Sequence, residues 1–338
     1  MFIVESYPLA VVMCVITMLC WGSWANTQKL ASKEWRFQLF YWDYALGVFL
    51  LALLVAFTLG SNGQGGRGFL ADLRQADKQW LWSAFAGGVI FNLSNILLVA
   101  AIDISGMAVA FPVGVGLALA LGVITTYLST RVGNAPMLAA GVMGVMVAII
   151  LDAMAYRRLT PSGRGTSAKG LMLSVAAGVL MGFFYKYVAQ AMGSIDAATG
   201  VLEAGKLSPY TAIVLFSAGL LLSNFVWNSI VMVKPFTGPP VPFGDYFTKG
   251  NARLHLVGIL GGVIWNVGMS FSIIASAKAG AALSYGLGQG ATMIGACWGV
   301  FIWKEFKGAP KGTNGLLAAM FVFYAAGLTA LIVSKLYT

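Results

Sequence analysis

Charge is what this sequence lacks. Only 9% of its 338 residues are Asp, Glu, Lys or Arg, against about a quarter in soluble domains, so the chain cannot cover a water-facing surface. Histidine occurs once and cysteine three times. Cys14, Cys20 and Cys297 lie in apolar runs with no CxxC spacing, which reads as buried thiols and excludes a disulfide framework or a thiolate metal site. Enzyme signatures are missing too: there is no HExxH and no GxSxG. The stretch Gly163-Arg164-Gly165-Thr166-Ser167-Ala168-Lys169-Gly170 lacks the Gly-Lys-Ser/Thr ending that a phosphate loop needs. No catalysis, cofactor or metal is expected.

What is present is apolar: 59% of the residues are hydrophobic and mean hydropathy is +0.83. Runs long enough to cross about 30 Å of hydrocarbon fall near 8–30, 39–60, 79–102, 107–130 and 134–156, then near 168–192, 208–233, 253–276, 281–303 and 313–335. The expected fold is therefore all-α and polytopic, with about ten transmembrane helices. The 42 glycines suit closely approaching membrane helices. The net charge of +10 comes from cations near the ends of runs, where they meet headgroups. Membrane lipids rather than nucleic acid are the implied partners. The first run begins near Pro8 and continues past residue 25 without a basic leader, which predicts a retained span rather than a cleaved signal.

The breaks between runs are polar and rich in Gly and Pro, and the one from Tyr156 to Lys169 divides five runs from five. The two sets are related. Gly87-Gly88-Val89-Ile90-Phe91-Asn92 reappears as Gly261-Gly262-Val263-Ile264-Trp265-Asn266, an offset of 266 − 92 = 174. The same register pairs Gly106 with Gly280, Gly114 with Gly288, Gly116 with Gly290 and Ala135-Pro136 with Ala309-Pro310. This predicts a repeat over 1–157, a linker over 158–168 and a second repeat over 169–338. Five spans per repeat is an odd number, so the second must run inverted. Inverted repeats are a transporter signature, with the substrate site near the midplane between them. On alternate sides of the membrane, Lys and Arg divide 13 against 8. The positive-inside rule then places both termini outside the cytoplasm and the linker inside.

Polar groups within spans mark candidate binding residues, because each costs free energy unless paired or hydrated. Trp24 offers a stacking face and Asn26 an amide, which suit a planar polar solute or an interfacial belt equally. Asn92 and Asn95 share a helix face, and Asn266, preceded by Trp265, is the repeat mate of Asn92. Tyr285 and Gln289 lie four apart in a Gly-rich run, and Asn228 lies four from Asn224. All are candidate substrate contacts, with hydrogen bonding between helices as the competing role. Pro112 and its mate Gly286 are expected to weaken matched helices, a pointer to a site. Asp43 is the candidate proton carrier, and its competing role is a cap or loop hydrogen bond. The single His255 reads as interfacial, and Asp152 as a residue near a span end.

Several motifs resemble the drug/metabolite transporter superfamily and, within it, the ureide permease family, near the bacterial glucose/ribose and rhamnose carriers. They are Val4-Glu5-Ser6, Tyr41-Trp42-Asp43-Tyr44, Ala56-Phe57-Thr58-Leu59-Gly60, Ala86-Gly87-Gly88-Val89 with Asn95, Tyr210-Thr211-Ala212, and Trp298-Gly299 with Glu305. The resemblance implies secondary transport, often proton-coupled import of allantoin, uracil and related heterocycles. Plant members carry a long central linker with a Walker-A-like sequence. The short linker here suggests a bacterial-type relative in the inner membrane, and leaves pentoses and nucleosides as further substrate classes. Export of drugs or metabolites, and a non-transporting receptor or scaffold, are the competing functions. A homodimer is left open.

Overall fold

A computed structural model describes residues 1–31, 34–63, 65–105, 107–131, 133–159, 167–195, 201–334 and 336. Most of the 158–168 linker therefore lies outside the described residues. The first part of the chain contains α1 (Tyr7–Ser23), α2 (Ala25–Ala31), α3 (Phe37–Phe57), α4 (Phe69–Gln75), α5 (Lys78–Ser105), α6 (Met107–Thr130) and α7 (Ala135–Leu159). The second contains α8 (Ala168–Ala191), α9 (Pro209–Val233), α10 (Asp245–Thr248), α11 (Ala252–Ala279), α12 (Ala281–Gly288) and α13 (Ala291–Cys297). A π-helical turn, Trp298–Ile302, and α14 (Thr313–Val333) complete it. The described residues form no strand, only two isolated bridges, in the loop between α8 and α9.

Eight of these helical stretches are long and apolar enough to cross a membrane, with α1 and α2 counted as one. This is an integral membrane protein. The other two runs stand outside that count. The fourth is α6, a continuous helix whose apolar stretch among the described residues is Val113–Ser129. The ninth is broken into α12, α13 and the π-helical turn.

Helix starts follow from local chemistry. The Ser208 hydroxyl accepts from the N–H of Thr211 at 3.2 Å with Pro209 next to it, and Asn251 accepts from Leu254 at 3.0 Å. Both satisfy amides that the first helical turn leaves without intrahelical partners.

Glycines set the helix pairing. A Cβ added at Gly88 on α5 would strike the backbone carbonyl of Phe216 on α9, and one at Gly219 on α9 would strike Phe85 on α5. Likewise Gly262 on α11 meets the carbonyl of Tyr44 on α3, and Gly47 on α3 meets Ile259 on α11. Backbones this close are what small residues permit in a bilayer. The two seams share one register. Positions on α5 and α11 differ by 262 − 88 = 259 − 85 = 174, and those on α3 and α9 by 216 − 44 = 219 − 47 = 172. The connection from α9 to α11 is thus two residues longer than that from α3 to α5.

Outside the membrane, α4 is tied to the loop before α9. Arg67 pairs with the fully buried Asp72 at 3.1 Å and also donates to the carbonyls of Leu202 and Glu203, each at 2.8 Å. The other Asp72 oxygen accepts from the Ser208 N–H at 2.7 Å.

Candidate functional site

A cavity of about 560 Å³ lies among α1, α2, α5, α7, α8, α11 and the broken ninth run, within the size range of small-molecule sites. Its inner wall is aromatic. Trp21 and Trp265 stack with centroids 5.8 Å apart and planes 13° from parallel, and Phe91 lies 4.6 Å from Trp265. Trp21 is fixed by its Nε1 donating to the Trp265 carbonyl at 3.2 Å.

Two interruptions in the helices reach this wall. Trp24 stands at the junction of α1 and α2, and Gln289 at the junction of α12 and α13; both line the cavity. Gln289 is 7% exposed, and its side-chain amide takes no hydrogen bond from any described residue. Asn95 also lines the cavity and donates to the Tyr41 hydroxyl at 3.0 Å. Asn26 is there as well, with its amide already engaged: it donates to the Ser23 carbonyl at 2.9 Å and accepts from Trp303 Nε1 at 2.7 Å.

The remaining candidates stand elsewhere. Asn92 donates to the Leu220 carbonyl (3.1 Å) and the Ser223 hydroxyl (2.9 Å), and Asn266 to the Val48 carbonyl (2.8 Å). These are the same two glycine seams, again related by 174 and 172, and neither amide lines the cavity. Asn228 bonds the Gln38 carbonyl at 2.8 Å. Tyr285 is fully buried and donates towards the carbonyls of Ala118 and Met181. Pro112 lies within α6, which continues through it, and its side chain is outside the described residues. Gly286 lies inside α12 beside Leu331 and Val123, three residues before the break.

Asp43 is 2% exposed and stands off the cavity. It accepts from the Tyr246 hydroxyl and faces Nδ1 of His255 at 3.0 and 3.1 Å. Gly258 leaves room for it, since a Cβ there would meet the Asp43 side chain. Burial first, then the bond to Asp43, raises the Tyr246 hydroxyl above its ordinary range, so it stays a donor. His255 was read from sequence as interfacial; the fold packs it against this carboxylate.

Sequence reasoning also missed the cavity's open end. There Lys29 pairs with Glu305 at 2.6 Å and lies 4.2 Å from the Trp303 ring centre, while Tyr156 donates to the other Glu305 oxygen at 2.7 Å. Asp152, one turn before Tyr156, lines the wall. The π-helical turn and Lys304, at φ +53°, fold the chain back to deliver Glu305. The signals in the sequence are Asp152 at the end of an apolar run and Glu305 in the motif with Trp298-Gly299, and neither tells that the two meet.

Fold and site together define a polytopic helical membrane protein with a sizeable cavity among its described helices. A family model described as ureide permease matches residues 40–160. Ureide permease 1 of Arabidopsis thaliana is 22% identical over 396 aligned residues, covering 99% of each chain. Ureide permease 5 of the same plant is 23% identical over 398, covering 98% of this chain and 96% of its own. Transmembrane protein 144 homolog B of Dictyostelium discoideum is 26% identical over 170 residues, 49% of this chain and 40% of its own. A solved structure titled only as the crystal structure of a protein superposes with a TM-score of 0.59 at 16% identity, covering 97% of this chain and 98% of that one. It shows the fold alone. The chain's likeness, end to end, is to the ureide permease family.

Proposed function

We propose that this protein is a secondary carrier that imports a small, uncharged, amide-rich solute of the ureide or nucleobase type, such as allantoin or uracil. The carrying observation is the cavity itself: a stacked indole wall with the unengaged amide of Gln289 beside it, in a chain similar along its length to ureide permeases. Stacking faces favour a planar ring over a pentose, and an amide can both donate to and accept from a ureide.

The carrier works by alternating access between two inverted five-helix halves, 1–157 and 169–338. Supporting this, the seams α5–α9 and α11–α3 repeat each other residue for residue, with Gly88 and Asn92 standing where Gly262 and Asn266 stand. Trp24 and Gln289, at helix breaks on the cavity wall, have the character of residues in discontinuous transport helices. Import is coupled to a proton, and the Asp43–His255 pair is one protonatable centre available to it. The termini face away from the cytoplasm.

Binding tests the substrate class. A ligand that binds the native state raises its melting temperature by mass action. Purified protein is expected to be stabilised by allantoin or uracil more than by ribose. Stabilisation by ribose alone, or by hydrophobic cations alone, would contradict this reading and favour a sugar carrier or a drug exporter.

A further inference from the structure

Two carboxylates line the cavity, Glu305, which is paired with Lys29 and Tyr156, and Asp152. Asp152 on α7 is 7% exposed and lines the wall, and its Oδ1 is enclosed without a hydrogen-bond partner among the described residues. Unpaired buried oxygens are rare in folded proteins and call for a physical explanation. Asp43, also buried, differs on the other two counts: it stands off the cavity and is held by both Tyr246 and His255.

The surroundings of Asp152 are acidic rather than compensating. Glu305 interacts with it across the cavity mouth, Tyr156 from the next turn of α7 and Tyr324 from α14. From α6, which adds Val115 to the cavity wall, no titratable group interacts with it among the described residues. The cation that lines the cavity, Lys29, is engaged with Glu305. Tyr156 bridges the two acids in sequence and space, since it stands one turn from Asp152 and donates to Glu305. Gly299 permits that bridge: a Cβ there would fall 2.6 Å from the Tyr156 hydroxyl and 2.9 Å from a Glu305 oxygen.

We propose that Asp152 is the proton-binding site that couples ion to solute movement. This rests on the carrier reading above. With the cavity open to the acidic side, the Asp152 carboxylate takes one proton from water and becomes a neutral carboxyl. That carboxyl supplies an O–H donor to a carbonyl of the solute. When the cavity opens to the other side, the solute leaves and the proton returns to water, so one positive charge crosses with each neutral solute.

The test uses the full chain in proteoliposomes with labelled allantoin and an inward proton gradient. Wild type is expected to concentrate allantoin. Asp152→Asn, with a permanently neutral side chain, is expected to lose at least tenfold in accumulation while still exchanging external for internal allantoin. Accumulation by Asp152→Asn equal to wild type overturns the proposal, as does its loss in Asp43→Asn alone. If Asp152→Asn does not fold, Glu305→Gln decides. A shifted pH of half-maximal uptake supports Asp152 as the titrating neighbour, and an unchanged pH contradicts it. Failure of the wild type to move allantoin or uracil at all contradicts the carrier reading instead.

Discussion

At the scale of single residues, what an amide does depends on which way its helix turns it. Asn266 and Gln289 are both buried, but Asn266 spends its N–H on the Val48 carbonyl while Gln289 stands open to the cavity. Asn266→Ala should therefore lower thermal stability by about 1 kcal/mol, the usual worth of an interhelical hydrogen bond, and leave the KM for solute unchanged. Gln289→Ala should do the reverse: little change in melting, and KM raised roughly fivefold for one lost neutral hydrogen-bond pair. Trp265→Ala, removing half of the indole stack, should weaken solute binding by about 1 kcal/mol or more, measurable as a loss of ligand-induced thermal shift. The sequence pattern pairs Asn92 with Asn266, and each donates to a carbonyl of its neighbouring helix, Leu220 and Val48. It could not say that these contacts lie in a seam. Spacing reports which residues share a face of one helix, never which neighbour that face meets.

At the scale of elements, the fold hangs on backbone-to-backbone contact at glycine. A methyl at Gly88 or Gly262 has only a carbonyl to push against, and backbone cannot yield as a side chain does. Gly88→Ala and Gly262→Ala should each cost roughly 1–3 kcal/mol, as overpacking does, and by similar amounts because the seams are equivalent. A large inequality in their melting temperatures would count against that equivalence. Asp72→Ala should be costlier, about 3–5 kcal/mol, because it strands Arg67 and the Ser208 N–H together; chemical denaturation in detergent would measure it. The 174-residue register was legible because it runs without a gap through α5 and α11. Its partner of 172 was hidden by the two extra residues in the loop before α11. Helix weakening was expected at Pro112 and Gly286. The first stays helical, and the second anticipates by three residues a break that the Gly-flanked Gln289 makes. The short α4 and α10 are shaped by contacts with distant loops, which no local pattern carries.

At the scale of the molecule, an apolar bundle has enclosed an aromatic, partly charged cavity, and residues from both ends of the chain are needed to build it. Trp21 and Asn26 come from the first helices, Gln289 and Glu305 from the ninth run, and Trp265 from between. Hydropathy alone yields the bundle, but the cavity arises from tertiary packing. For that reason Asp152 and His255 read as edge residues in one dimension and as neighbours of the site, or of Asp43, in three. Solute is expected to pass through this cavity. Uptake of labelled allantoin and uracil into proteoliposomes, measured side by side for wild type and Gln289→Ala, tests it most directly. Saturable uptake by the wild type, competed by unlabelled ureide and with KM raised in the variant, is the expected result. Equal uptake by both proteins, or none above empty liposomes, would contradict it.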